Sequence, residues 1–294
     1  MSDPVLPFLF VLCAFILWGI AGSSQVVHQP RYTPLANPSD HDLSWEPIRL
    51  TTRDHFSLAG WLIRHPRPEG TLLLLHGFGT CKADLLDVAK AFHKEGVYHL
   101  LLMDFRGHGA SSGKVISFGL KEVFDVEAGL SFISNDSSFR KLPVGCYGIS
   151  MGGAIGLLAA AAFPQIKAVV SDSAYADLGK AIARAQWLAY HIPRVPLGQL
   201  VLWATQARIH ARLARMNPVH IVGRIAPRGT MIIHGTKDRS IPAQDAEALF
   251  QAAGEPKRLW LVPGAEHVAS FYGQTQEYLS QVMGFYKDVF RRAA

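Results

Sequence analysis

Cysteine is scarce in this chain. The three present, Cys13, Cys81 and Cys146, are too few and too scattered to build a disulfide framework or a zinc cluster. Cys81 follows a Gly-rich turn and reads as a structural thiol. There is no internal repeat and no low-complexity tract. With 18% of its 294 residues charged and 49% hydrophobic, the chain has an ordinary globular composition and room for one large domain. Two absences are local. Pro4 to Gly22 holds no charged residue, and Leu178 to Lys237 holds neither Asp nor Glu.

The uncharged stretch at Pro4–Gly22 is dominated by Leu, Phe, Val and Ile. At helical rise it covers about 28 Å, close to the hydrocarbon core of a bilayer. Trp18 sits toward its far end, where an aromatic anchor meets the interface. This predicts a membrane anchor over residues 1–22. The rival reading is a cleaved secretory signal, with Gly19 to Ser24 supplying small residues, which would leave the domain secreted or periplasmic. Against it, Met1-Ser2-Asp3 lacks the basic residues of a signal n-region. Arg31, Arg49 and Arg53 all follow the span, so the positive-inside rule favours a cytoplasmic domain. Residues 23–42, rich in Pro, Ser, His and Asn, read as a tether.

From Leu43 onward strand-like and helix-like segments alternate. Trp45–Leu50 and Phe56–His65 read as an antiparallel opening pair. Apolar runs at Thr71–His76, Val97–Phe105, Leu142–Tyr147, Ala168–Asp172, Thr230–His234 and Lys257–Val262 lack polar alternation, which suits a parallel sheet covered on both faces. Helical spacing recurs at Ala83–Lys94, Gly119–Ile133, Gly153–Phe163, Ala243–Ala253 and Gln274–Phe290. The pattern is that of an α/β fold. About sixty residues separate the strands at Ala168 and Thr230, far more than a minimal crossover needs. Two helical pieces, near Leu178–Tyr190 and Leu197–Ala214, fill this excess as a cap at about 178–216.

The cap carries the second absence. Where acids are missing, Lys180, Arg184, Arg194, Arg208, Arg212, Arg215, Arg224, Arg228 and Lys237 are interleaved with Trp187, Tyr190 and Trp203. One reading is a solvated face whose acidic partners lie elsewhere in the fold. The sharper one is a cap facing anionic lipid headgroups or attracting acidic substrates. No nucleic-acid motif accompanies the charge.

Chemistry enters at Gly148-Ile149-Ser150-Met151-Gly152, a G-x-S-x-G pattern. A strand-like run precedes it and a helix of small and apolar residues follows. A serine at such a turn has its hydroxyl pushed clear of the backbone. The same pattern recurs at Gly109-Ala110-Ser111-Ser112-Gly113, but after the polar loop Arg106-Gly107-His108 and before a poor helix start. Ser150 is therefore the nucleophile candidate and Ser111 a loop residue. A serine hydroxyl needs a base, and the base an acid. His267 lies in the loop after the last strand, and Asp238 in the loop after the strand before it. The order Ser150, Asp238, His267 is that of one particular serine-hydrolase fold. Asp172, which also ends a strand, competes for the role of acid, and Asp177 is a weaker rival. Asp104 is expected to tie down its own loop through Arg106 or backbone donors, and His76, His108 and His234 to be structural. The oxyanion donors are expected to be the backbone N–H groups of Met151 and Phe78.

Together His76-Gly77-Phe78-Gly79, the stretch from Asp104 to Gly113, the Ser150 turn, the Gly235–Asp238 turn and the Gly264–His267 turn resemble the α/β-hydrolase superfamily, in its esterase, lipase and serine-aminopeptidase-like branches. The resemblance covers nearly everything from Leu43 to Phe290. It implies one domain over residues 43–294, with a mostly parallel eight-stranded sheet, helices on both faces and a helical cap. It further implies Ser150 as nucleophile, His267 as base and Asp238 as acid. The single glycine before Phe78 departs from the triple-glycine form of many lipases and argues against esters of bulky tertiary alcohols. The expectation is a serine hydrolase, needing no cofactor or metal, that cleaves a small ester or lipid-like substrate with an apolar acyl group. A thioesterase or peptidase would use the same residues. A non-catalytic scaffold on the same fold would be betrayed by a lost triad residue, and none is lost.

Overall fold

The computed structural model describes residues 5–293; the first four residues of the expected anchor and the final Ala294 lie outside it. Eight strands form one sheet: β1 (Glu46–Thr51), β2 (Ser57–Ile63), β3 (Gly70–Leu75), β4 (Tyr98–Met103), β5 (Val144–Ile149), β6 (Ile166–Asp172), β7 (Gly229–Gly235) and β8 (Lys257–Val262). Their spatial order is β1-β2-β4-β3-β5-β6-β7-β8. β2 runs antiparallel to both β1 and β4, and all other pairings are parallel. The expected opening pair and parallel core are both present. The α/β-hydrolase fold class is established.

β3 shows how the sequence specifies this. Every residue of Gly70–Leu75 is buried. Leu73 and Leu75 point into one apolar cluster, Leu72 and Leu74 into the other. Side chains alternate across a strand, so a strand with a helix layer on each face must be apolar throughout. Helices α2 (Leu86–Glu95) and α9 (Thr275–Ala293) cover one face, and α3 (Glu122–Asn135), α4 (Met151–Ala162) and α7 (Ala243–Ala252) the other. A single turn, α8 (Ser270–Gly273), precedes α9.

The segment between β6 and β7 forms the cap, with α5 (Leu178–Tyr190) and α6 (Gln199–Ile209). The second cap helix ends earlier than its periodicity predicts. His210 adopts the left-handed conformation and closes α6, and short 3₁₀ turns at Leu213–Met216, Pro218–His220 and Val222–Ile225 return the chain to β7. None of the nine basic residues from Lys180 to Lys237 lies within ion-pair distance of a carboxylate among the described residues. Several donate to carbonyl oxygens instead. Arg228 reaches those of Ala160, Phe163 and Ile166, capping the end of α4, and Arg184 reaches that of Arg239. Acidic partners elsewhere in the fold therefore do not neutralise this segment.

The N-terminal apolar stretch is a helix, α1 (Val5–Val27), longer than the expected anchor. Residues 23–27, expected in the tether, are helical because they dock. A Cβ on Gly22 would sit 2.6 Å from Val201 Cγ2, and one on Gly19 3.2 Å from the Leu200 carbonyl oxygen. The missing side chains let α1 lie flat against α6. Arg208 then donates to Ser23 Oγ at 2.7 Å and to the Ile20 carbonyl. Beyond the helix, Arg31 donates to the carbonyls of Ser111 and Gly113, fastening the chain to the loop after β4.

Candidate active site

Ser150 stands between β5 and α4 with φ +50° and ψ −118°, a strained conformation for a residue with a side chain. The turn is tight enough that its flanking glycines have no substitute. A Cβ on Gly148 would run into the backbone of Gly152, and one on Gly152 into the carbonyls of Leu75 and His76. The Ser150 N–H donates to the Asp172 carbonyl at 2.8 Å, which fixes the turn to the end of β6. Its side chain is thereby held at the C-terminal edge of the sheet, where open α/β sheets bind ligands.

Two loops at that edge complete the arrangement. His267 Nδ1–H donates to Asp238 Oδ2 at 2.6 Å. That fixes the proton on Nδ1 and leaves Nε2 free to accept from Ser150 Oγ, 3.0 Å away. The Asp238 side chain is wholly buried. Oδ1 accepts the N–H groups of Ser240 and Ile241, both at 2.8 Å. Burial alone would raise the Asp238 carboxyl; hydrogen bonds from His234 and His267 outweigh it and hold the group well below the usual carboxylate range. The three residues expected from the sequence are thus brought together.

His234 was expected to be purely structural, yet it belongs to this network. Its Nε2–H donates to the Ile241 carbonyl at 2.8 Å and lies 3.2 Å from Asp238 Oδ2. Asp238 and His267 are therefore flanked by a second histidine. The signal was present in the sequence: His234 precedes Asp238 by four residues across the Gly235 turn.

The rivals fall elsewhere. Asp172 is buried and its carboxylate accepts from Ser173 Oγ and Tyr278 OH, both at 2.8 Å, rather than from His267. Burial raises its pKa. Asp177 caps the start of α5 through the Lys180 N–H. Ser111 is buried, with Oγ donating to the Asp104 carbonyl and accepting the Ala59 N–H. Asp104 corrects one expectation. It ties its loop through the Ala110 N–H but takes Lys82, by both N–H and Nζ, instead of Arg106. Arg106 pairs with Asp54 and Asp125.

The loop after β3 approaches the serine closely: a Cβ on Gly77 would lie 3.6 Å from Ser150 Cβ. His76 shapes this loop from beneath. It accepts the Phe105 N–H at Nε2 and donates from Nδ1 to the Gly77 carbonyl at 2.7 Å. Burial first, and the neighbouring His108 second, bring its pKa down to about 3, so it is neutral. Among the described residues the Phe78 N–H donates to no protein acceptor. Met151 opens α4, where a backbone N–H has no partner within the helix. Both are free to donate to an oxygen arriving beside Ser150.

Ser150, His267 and Phe78 lie where two cavities meet. One, of about 740 Å³, is bounded by α1, α5 and Val201 of α6 and is mostly apolar. The other, of about 520 Å³, has a larger polar share, with His41, Thr80, Asp84 and Asp87 set among apolar residues in its wall. No group of three or more His, Cys, Asp or Glu side chains among the described residues is placed to hold a metal.

The family model for serine aminopeptidases of the S33 type matches residues 66–229. The uncharacterized protein YqkD of Bacillus subtilis is 26% identical over 232 residues, which cover 78% of this chain and 75% of that protein. Protein bem46 of Schizosaccharomyces pombe is 24% identical, over 75% of this chain and 70% of its own. Among solved structures, a Pyrococcus furiosus esterase superposes with a TM-score of 0.76 at 24% identity, covering 90% of this chain and 98% of that one.

Proposed function

The chain belongs to the S33 serine aminopeptidase family of the α/β-hydrolase superfamily, and we infer from this premise that it cleaves a carboxylic ester through an acyl-serine intermediate. The hydrogen-bonded line from Ser150 through His267 to Asp238, at the inner end of an apolar groove, carries the reading. Ser150 Oγ attacks the carbonyl carbon while His267 Nε2 takes its proton. The carbonyl electron pair moves onto oxygen, and the N–H groups of Phe78 and Met151 hold the oxyanion. Asp238 stabilises the imidazolium. As the intermediate collapses, the carbon–oxygen bond to the alcohol breaks and His267 returns the proton to the departing oxygen. Water repeats the sequence on the acyl-enzyme and frees Ser150.

The groove speaks for an ester with an apolar acyl group rather than a peptide. No carboxylate lines it among the described residues. An ammonium placed in the groove itself would have no counter-ion, and burying an unpaired charge is costly; a peptide N-terminus would have to turn instead to Asp84 and Asp87 in the other cavity.

The exposed apolar side chains support a membrane location. Among the described residues, every large exposed apolar side chain apart from Tyr32, Leu35, Val115 and Tyr272 belongs to α1 or the cap. Patches of this kind mark interaction surfaces. The Phe8–Val27 segment has a mean hydropathy of 1.9. The uncompensated basic cap beside it favours an anionic leaflet.

Labelling with a fluorophosphonate tests the chemistry. Wild type is expected to become covalently labelled and Ser150→Ala to stay unlabelled; an unreactive wild type, or equal labelling of both, sinks the reading.

A further inference from the structure

The groove to Ser150 has two helical walls of matching pattern. α1 contributes Trp18, Ala21, Gly22, Gln25 and Val26; α5 contributes Leu178, Ile182, Ala185 and Ala189. Each set repeats at three- and four-residue intervals, so each is one continuous helix face. The two helices run in opposite directions along the groove. The C-terminal end of α1 is held at the inner end: Val26 packs on the core with Phe78, Val27 is fully buried, and the Ile116 N–H donates to the Val27 carbonyl at 2.8 Å. The N-terminal end of α5 is held there too, with Leu178 buried and its N–H bound by Asn217 at 2.9 Å.

The other ends are open. Trp18 is 41% exposed and Tyr190 62% exposed, and they flank the mouth. Beyond Trp18, α1 continues as the exposed apolar run through Leu17, Ile16 and Phe15 to Phe8. The groove therefore leads from Ser150 outward along the same helix that carries the apolar anchor surface. The second cavity, which shares Ser150, His267 and Phe78 with the groove, adds Thr80, Asp84 and Asp87 to the surroundings of the serine. An ester bound across this junction would have its apolar and polar halves sorted.

We propose that α1 is a wall of the acyl site as well as an anchor: the substrate is a single-chain amphiphilic ester drawn from the bilayer, its acyl chain lying between α1 and α5 with the tail toward Trp18 and Tyr190, its polar alcohol in the cavity lined by Thr80 and Asp84. The proposal rests on the serine-esterase reading above. Ala21 and Ala185, small and exposed on facing walls, set the width available to the chain. Enlarging either obstructs a long acyl group more than a short one, which extends less far along the groove. A pocket discriminates additional methylenes through such contacts.

The test uses full-length protein in phospholipid vesicles and two fluorophosphonates, one ethyl and one dodecyl with a diazirine at the end of the chain. Wild type is expected to react with both at Ser150. On illumination the dodecyl probe should cross-link to peptides of α1 around Trp18 or of α5 around Ala189. Ala21→Trp and, independently, Ala185→Trp should lower the ratio of the dodecyl to the ethyl labelling rate by about tenfold. Cross-links to the Thr80–Asp87 segment or to Tyr272 overturn the proposal. So do tryptophan variants that change both rates equally or neither. A wild type that reacts with neither probe breaks the esterase reading itself and removes the premise, a result distinct from labelling with misplaced cross-links.

Discussion

His234 Nε2 and Asp238 Oδ2 lie 3.2 Å apart, both side chains wholly buried, and the same oxygen receives His267 Nδ1–H at 2.6 Å. The proposed acid thus has two histidines on one oxygen, only one of which reaches Ser150. In the proposed mechanism His234 is a positioning residue: its Nε2–H is steered by the Ile241 carbonyl, and its contact with Asp238 would keep the carboxylate from turning away from His267. His234→Phe is expected to lower kcat by about tenfold, the worth of one hydrogen bond to a charged group, with KM little changed. His234→Gln, which can still donate, should recover most of the loss. A parallel rise in KM, or no recovery by glutamine, would indicate a merely structural role.

Asp172 ends β6 and Asp238 lies in the loop after β7, but only Asp238 touches His267. Asp238→Asn should present the wrong partner to His267 Nδ1 and lower kcat by about 10⁴-fold. Asp172 is buried among the hydroxyls of Ser173 and Tyr278, and burial already disfavours its charge. Asp172→Asn should therefore keep activity within about tenfold of wild type. Measuring kcat of the two amides side by side decides the assignment; the reverse ranking would make Asp172 the acid.

The contrast between these two aspartates shows what the sequence could and could not convey. Strand runs such as Leu72–Leu75 were legible because a two-faced parallel strand must be apolar throughout. Ser150 was legible because its turn demands glycine at both flanks. What a side chain meets across the fold was less so. Gly19 and Gly22 stand out in the sequence only as small residues of the rival signal reading, and nothing local shows that their lack of side chains lets α1 dock on Leu200 and Val201. Asp104 was expected to hold its loop through Arg106 or backbone donors; the backbone donor Ala110 is there, but the cation is Lys82, twenty-two residues away and brought there by β3 and the turn after it. Such pairings depend on tertiary placement, which local spacing does not encode.

The Lys82–Asp104 pair, at 2.6 Å with side chains 9% and 0% exposed, holds the loop after β3 to the loop after β4. Removing the cation strands a buried carboxylate. Lys82→Met is expected to destabilise the fold by about 3–5 kcal/mol. Urea unfolding measures it. Replacing both partners, Lys82→Met with Asp104→Leu, should cost less than the single change if the stranded charge is the cause.

Acid should weaken the fold before it protonates any triad carboxylate. His99 is buried on β4, where its Nδ1 accepts the His65 N–H at 3.0 Å. Burial first, then the positive charge of Arg64, brings its pKa from 6.5 to about 4. Between those values the unfolded chain binds a proton that the native state refuses. Stability is therefore full above the unfolded value and falls as pH drops through it toward the folded one. From about pH 7 to about pH 5 the His99 contribution should decline by about 2 kcal/mol. His99→Gln, which offers an acceptor without titrating, should lose correspondingly less over that range in urea titrations. Superimposable profiles would contradict the assignment.

The basic cap yields a prediction that separates its charges by what they already touch. Arg208 is engaged with Ser23 and Ile20 of α1, and Arg228 with three carbonyls at the end of α4, so changing either disturbs the fold as well as the field. Arg212 and Arg215 are exposed and without a carboxylate partner among the described residues, so their charge faces solvent. Each basic residue near an anionic leaflet is worth about 1 kcal/mol. Reversing both, Arg212→Glu with Arg215→Glu, should weaken binding to vesicles containing phosphatidylserine by at least about tenfold. Binding to neutral vesicles, which depends on the apolar surface of α1, should be unchanged. High salt should bring the wild type down toward the double variant, because exposed charges are screened over about 10 Å or less. Equal binding of the two proteins to anionic vesicles at low salt would show that the cap faces away from the bilayer. The membrane contact would then belong to α1 alone.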